Sequence, residues 1–320
     1  MKLSVVIPVW NDPAGLKRLL DQVVAMDVFA QIVVSDDAST PAVSAEALGL
    51  AADPRLLWLR SAEQRGAGHA RNIALEQVTG DHVIFFDSDD LFLPEFATLV
   101  GELTGLHFDF CIFRHADSRM QAKGSAAPLA PDDGEWKTAG AMTALPTPLP
   151  VKGATRLCRI SAYPWNKIYR TGFLREAGIR CTEIPVHNDL ELHWMSFLKA
   201  ERILTSKRVC CEHFVQPAGQ RLTNRTGRER LEVFRALDSV HDALERSPRQ
   251  FDYLEPFAEF YSRLFPWITD LLEPDLRPDF ALRVRRFLLA RMTLPLYTLI
   301  TLRNPAVGAR INRALSAVPA

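Results

Sequence analysis

The chain has no excess of charge of either sign: 38 lysines and arginines balance 38 aspartates and glutamates over 320 residues. The basic field that a nucleic-acid binder needs is therefore missing. Although 48% of the residues are hydrophobic, no apolar run reaches the ~18 residues of a membrane span. There is no internal repeat, and no glycine-rich phosphate loop near the start, where "VIPVWNDPAG" stands instead. That argues against a nucleotidyltransferase. Cysteine is scarce: Cys111, Cys158, Cys181, Cys210 and Cys211 are odd in number and form no CxxC pair. They read as reduced thiols of a cytoplasmic protein rather than as disulfide staples. "MKLSVVIPVW" runs straight into a strand pattern, unlike a secretory leader. Acidic residues are absent after Asp279, where Arg283, Arg285, Arg286, Arg291, Arg303, Arg310 and Arg313 are interleaved with "FLLARMTLPLYTLITL". Two readings of that tail stand open. One is a helix pair packed on the body with solvated arginines; the other is a basic amphipathic surface in peripheral contact with the inner face of a membrane.

What is present is an alternation. A chain this long can build one large core or two smaller ones. "LSVVIPV" is a short apolar run ended by Pro8 and "NDP", and Asp12 with Pro13 has the pattern of a helix start. Leu16, Leu19, Leu20, Val23 and Val24 then give one helical face. "AQIVVSDDAST" and "RLLWLRS" are further strands, "AGHARNIALEQV" is helical, and "HVIFF" is a fourth strand. Strand–helix–strand–helix predicts an α/β fold with a mostly parallel sheet. Residues 116–156 lack periodicity and predict a long excursion. From about Thr223 the pattern is helical, with breaks expected at Pro256, Pro266, Pro274, Pro278 and Pro295.

Open α/β sheets bind ligands beyond the carboxyl ends of their strands, and three polar clusters fall there: "PVWND", "SDDAST" and "DSDD". The last is an electrostatic problem. Asp87, Asp89 and Asp90 follow a buried-type strand, and neighbouring carboxylates need a positive partner or water. A metal ion, a phosphatase-type nucleophile pair and a solvated turn all answer that need.

The ordered set "SVVIPVWN", "IVVSDDAST", "GAGHARNIAL", "GDHVIFFDSDDLF", "PWNKIYRTGF" and "VHNDLELHW" resembles the inverting family-2 glycosyltransferases. The resemblance implies a GT-A fold: a Rossmann-type, mostly parallel sheet flanked by helices, here with a C-terminal helical extension. It implies a nucleotide-sugar-binding half over residues 1–115, an acceptor-binding half over 116–222 and a helical region over 223–320. "DSDD" resembles the family's DxD motif, which implies Mg²⁺ or Mn²⁺ neutralising the donor diphosphate. On that resemblance Asp89 and Asp87 are metal ligands, with Asp87 and Ser88 beside the nucleotide and Asp90 behind them. His213 is a further candidate ligand, against the bland reading of a structural histidine.

The same resemblance implies that Asp37 accepts from the uracil ring, that Pro8, Val9 and Trp10 line the base slot, and that Arg71 reaches the phosphates. Family members usually have glycine where this chain has Ala38. The family's base is an aspartate preceded by glutamate at a helix start; here the pair is Asn188–Asp189. Asp189 keeps the carboxylate needed to take the acceptor's proton, or it caps the helix. Arg221, Thr223 and Arg225 would close over the diphosphate. The implied partners are a nucleotide sugar and a saccharide or lipid-linked saccharide acceptor, with no nucleic acid. The alternative is a haloacid-dehalogenase-like phosphatase using the DxD pair, whose motif belongs on a first strand rather than a fourth. Intact Asp87, Asp89 and Asp189 argue against a non-catalytic sugar binder.

Overall fold

A computed structural model of the chain describes residues 1–122, 124–125, 127–214 and 225–316. The first half alternates β1 (Leu3–Val9), α1 (Pro13–Val24), β2 (Phe29–Asp36), β3 (Leu56–Arg60), α2 (Ala67–Glu76) and β4 (His82–Phe85). Then come β5 (Leu91–Phe92), α3 (Glu95–Leu103), β6 (Phe110–Asp117), α4 (Ser118–Gln121), α5 (Ala130–Thr138), β7 (Thr147–Pro148) and α6 (Val151–Leu157). β8 (Lys167–Arg170), α7 (Thr171–Glu176), α8 (Leu190–Lys199) and β9 (Ile203–His213) complete the sheet region. The helical end comprises α9 (Val233–Arg246), α10 (Gln250–Leu271), α11 (Arg277–Arg291), α12 (Leu294–Arg303) and α13 (Pro305–Ser316).

The sheet order is β3-β2-β1-β4-β8-β6-β9-β5, with β7 also on β9. β1 to β4 pair in parallel. β8 runs antiparallel to both β4 and β6, and β9 is parallel to β6. β1 is buried along its whole length, because a parallel strand is covered on both faces. One face packs Val5, Ile7, Leu16, Leu19, Phe92 and Phe96 together with α1 and α3. The other packs Val6, Phe85, Phe110 and Tyr169 against α8, α9 and α10 through Trp194, Leu237 and Phe257. The α/β expectation and the C-terminal helices are both observed.

Two expectations change. Residues 116–156 carry three helices and a short strand rather than one long excursion. None of those helices exceeds nine residues, and α5 is anchored mainly by Trp136 and Asp132, so no apolar stripe repeats often enough to show in the sequence. Pro256 and Pro266 do not break α10, which continues for 22 residues through both. An interior proline costs a hydrogen bond and a clash. Here Tyr253, Phe257, Tyr261, Phe265 and Ile268 are buried along the same helix, and that packing outweighs the two local defects.

Candidate active site

β1, β2, β4, β6 and β9 all point the same way, so their carboxyl ends share one edge of the sheet. At that edge the residues after β1 and β2 lock onto each other. Asn11, at φ 51°, donates its backbone N–H to Ser39 Oγ at 2.8 Å, and its side-chain oxygen accepts from Thr40 N–H at 2.8 Å. Asp36 is fully buried, accepts from Ser39 N–H at 2.9 Å and pairs with Arg60. Its role is to hold the turn. Asp37 accepts from the N–H groups of Arg65 and Gly66 at 2.9 and 2.6 Å, which ties the entry of α2 to the end of β2. Between β2 and that tie, Ala38 sits at φ 62°, the left-handed region that normally asks for glycine. Pro8 and Val9 are buried in β1, while Trp10 is partly exposed at its end, with the Arg225 guanidinium 5.6 Å from its ring centre.

The acidic cluster is sorted by its neighbours. Asp87 Oδ1 accepts from Arg71 Nη2 at 2.5 Å. Ser88 donates to Asp12 Oδ2 at 2.9 Å, joining the cluster to the start of α1. The backbone carbonyl of Asp89 accepts from Arg18. Asp90 is fully buried and holds His213 Nδ1 at 3.0 Å and the Phe214 N–H at 2.9 Å. Burial works against charge on His213, but the Asp90 carboxylate, with Asp89 and Asp87 beyond it, holds its pKa above the ordinary imidazole value. The three acids thus divide: Asp90 faces inward onto His213, while the side chains of Asp87 and Asp89 remain partly exposed at the edge.

Among the described residues, no three His, Cys, Asp or Glu side chains gather closely enough to hold a metal by themselves. The donor chemistry nevertheless fits a divalent cation that keeps open positions for phosphate oxygens, as Mg²⁺ does. His213 turns Nδ1 to the Asp90 carboxylate, the arrangement in which the other ring nitrogen of a histidine faces a metal. Asp87 has one oxygen on Arg71, and its side chain remains partly exposed.

The other wall is the contact between α2 and the segment before α8. Gly66, at φ 93°, turns the chain into α2. A Cβ on Gly68 would lie 2.4 Å from the Thr182 carbonyl oxygen and 2.9 Å from Asn188 Cβ, so glycine there sets how closely the two elements approach. Asn72 closes both ends of a clamp on Cys181, donating to its carbonyl at 2.9 Å and accepting from its N–H at 3.0 Å. Arg71 bridges the site, with Nη1 on Asn188 Oδ1 at 2.7 Å and Nη2 on Asp87. Burial opposes its charge, and Asp87 and Asp189 outweigh that, so its pKa stands above the usual value. Arg71 thus gives one hydrogen bond from each terminal nitrogen to a protein partner while its buried Nε has none, and Asn188 fills the place of the glutamate by accepting from it.

Asp189 stands at the N-cap of α8, yet its side chain makes no capping hydrogen bond. Its carboxylate is not used in the way that explains most aspartates at that position. Burial pushes the carboxyl up to about 6, Arg71 pulls it down, and Asp87 adds to the rise. The nearby Lys167 has no exposed surface and donates to the Tyr163 carbonyl at 2.6 Å and Asn166 Oδ1 at 2.7 Å. Burial pushes its ammonium down to about 7, against the pull of Asp189 and Asp132.

The structure thus brings Asp37, Arg71, Asp87, Ser88, Asp89, Asp189 and His213 to one edge together with Trp10. Arg221 and Thr223 lie outside the described residues. Sequence reasoning assigned nothing to Asn72 or Lys167, though both sit in quoted motifs. An asparagine directly after an arginine on a helix, and a lysine opening an apolar strand, were the available signals.

The sequence of residues 4–123 matches the family model described as Glycosyl transferase family 2. The pre-mycofactocin glycosyltransferase of Mycobacterium tuberculosis is 37% identical over 87 residues, 27% of this chain and 17% of that protein. The poly(ribitol-phosphate) beta-N-acetylglucosaminyltransferase TarS of Staphylococcus aureus is 28% identical over 213 residues, 63% of this chain and 34% of TarS. The chain therefore spans about a third or less of the length of these curated relatives. The crystal structure of TarS residues 1–349 in complex with UDP-GlcNAc superimposes with a TM-score of 0.73 at 20% identity, covering 98% of this chain and 89% of that one. The mannosyltransferase PcManGT of Pyrobaculum calidifontis, solved with GDP-Man and Mn²⁺, gives a TM-score of 0.53 at 18% identity over 98% and 85% of the two chains. Residues 4–123 thus match glycosyl transferase family 2, and the chain as a whole carries the GT-A fold.

Proposed function

We propose that the protein is a metal-dependent inverting glycosyltransferase. It moves a sugar from a nucleotide diphosphate donor, UDP-linked, to a hydroxyl of a glycan or lipid-linked saccharide in cytoplasmic assembly of surface polysaccharide. The observation that carries the reading is Asp189: a carboxylate at a helix start, not engaged in capping, raised to about 6 and tied through Asn188 and Arg71 to Asp87 of the DSDD cluster. A general base works best with a pKa near the working pH. The bound UDP-GlcNAc of the TarS structure and the GDP-Man of PcManGT support a nucleotide-sugar donor.

In this reading Trp10 and Asp37 face the nucleobase, each Asp37 oxygen keeping a second lone pair beside its backbone bond. Asp87, Asp89 and His213 would hold Mg²⁺ or Mn²⁺, which when bound neutralises the diphosphate as it leaves. Asp189 accepts the proton of the acceptor hydroxyl as that oxygen attacks the anomeric carbon. Arg71 fixes the distance between the donor cluster and the base by gripping Asp87 and Asn188, the residue before the base. Residues 1–115 form the donor half, 116–222 the acceptor half and 223–320 the helical support.

Titration with UDP, with and without Mn²⁺, tests the donor assignment. Binding strengthened by the metal and weakened by Asp89→Asn is expected. No UDP affinity under either condition would sink the assignment.

A further inference from the structure

The outer faces of α11 and α12 carry leucines that the fold does not use. Both helices already have a buried face: Phe280, Val284, Phe287 and Leu288 in α11, and Leu296 and Ile300 in α12. On the opposite faces Leu289 is 67%, Leu294 75% and Leu302 78% exposed. Helical spacing groups them. Leu282, Arg286 and Leu289 follow at intervals of four and three on α11, and Leu294, Thr298 and Leu302 at intervals of four on α12. Folding has already buried what it needs from these helices, so their outer faces call for another partner.

The charges choose that partner. Arg283 pairs with Asp279, Arg291 with Asp238 and Asp242, and Arg303 with Glu255. Arg285 and Arg286 are exposed and have no acidic partner among the described residues. No acidic residue follows Asp279 in the sequence. A second copy docking by the same face would set arginines against arginines. Among the described residues, no helix is long and apolar enough to cross a membrane. Exposed leucines beside unpaired arginines on helices that do not span a bilayer are the features of a surface that lies in the headgroup region.

We propose that α11 and α12 form a docking face for an anionic lipid surface, with Leu289, Leu294 and Leu302 entering the interface and Arg285 and Arg286 meeting the headgroups. The proposal is independent of the reading of the active site. The test is sedimentation of the full chain with phosphatidylcholine vesicles with and without phosphatidylglycerol. The wild type should pellet only with the anionic vesicles. Arg285→Glu/Arg286→Glu and, separately, Leu289→Asn/Leu294→Asn should each weaken binding at least about tenfold while melting temperature and UDP binding stay unchanged. Failure of the wild type to pellet, or undiminished pelleting of both variants, would overturn the proposal. So would a concentration-dependent dimer in light scattering that Leu289→Asn/Leu294→Asn dissolves, since that assigns the face to a second copy.

Discussion

As the proposed base, Asp189 can work only while its carboxyl is ionised, and burial moves that ionisation to about pH 6. Below that pH kcat/KM should fall about tenfold per unit, while UDP binding holds. Asp189→Asn should abolish turnover and leave the UDP titration unchanged; retained turnover removes Asp189 as the base. The stability sign runs the other way. A carboxyl whose folded pKa lies above its unfolded value of ~3.9 stabilises the fold relative to higher pH below about 4, and that advantage is gone above about 6. At pH 7 the asparagine variant should therefore be at least as stable as the wild type in urea, with a gain of roughly 1–3 kcal/mol at most. A large loss of stability would mean that the carboxylate is structural. Ala38 gives the companion test. Its left-handed backbone costs a non-glycine residue ~1 kcal/mol or more, and glycine adds ~0.5–1 kcal/mol of unfolded-state entropy. Ala38→Gly should thus change urea stability by less than about 1 kcal/mol, whereas Ala38→Val should cost several times that. At this scale the sequence was legible where a residue type has few uses, as with the carboxylates. It was opaque where geometry was imposed from outside: only the family's usual glycine, not "SDDAST" itself, hints that Ala38 sits at φ 62°. Nor does "GAGHARN" say that Arg71 grips Asn188.

Among the elements, the contact of α2 with residues 181–189 organises the site, and the two glycines of "GAGHARN" explain it. Gly66 supplies a positive φ, and Gly68 supplies the absence of a Cβ where the Thr182 carbonyl would sit 2.4 Å away. The obstacle is backbone, so it cannot swing aside as a long side chain would. Gly68→Ala should push the 182–188 segment off α2, lengthen the Arg71–Asn188 bond and misplace Asp189. We expect kcat to fall by about a hundredfold, the order that a 1 Å misplacement costs, with a far smaller change in donor affinity. A variant with full kcat would show that the close approach is irrelevant to the chemistry. Elements with an intact period were readable in advance: the apolar face of α1 and the alternation of the first four strands both emerge from short-range pattern. α10 was not, because two interior prolines are strong local breakers and only the aromatic packing of the whole helix overrules them. The helices between residues 118 and 157 were hidden for the opposite reason, being too short to repeat a pattern.

For the molecule as a whole, the seam is β8. It joins the parallel strands β1 to β4 to β6 and β9, and its Tyr169 lies opposite Val83 on one side and Phe110 on the other. No local signal announces that insertion: "KIYR" is four residues long, and its antiparallel partners are dozens of residues earlier. The seam strand begins with Lys167, a fully buried ammonium whose pKa is held down to about 7 by burial. The unfolded chain keeps that proton to ~10.4. Between those values the unfolded state binds more protons than the folded state, so this residue makes stability rise with pH. Below about 7 both states are protonated, and its cost is constant. Lys167→Met keeps the length and apolar stem and removes the titration. The difference in unfolding free energy, wild type minus variant, should therefore climb between pH 7 and pH 9 by up to ~1.4 kcal/mol per unit. It should stay flat between pH 5 and pH 6, with all other titrating groups cancelling in the subtraction. Urea titrations of both proteins across that range decide it. If the two curves run parallel above pH 7, Lys167 is not a desolvated ammonium in the folded state, and the seam must let in enough water to solvate it.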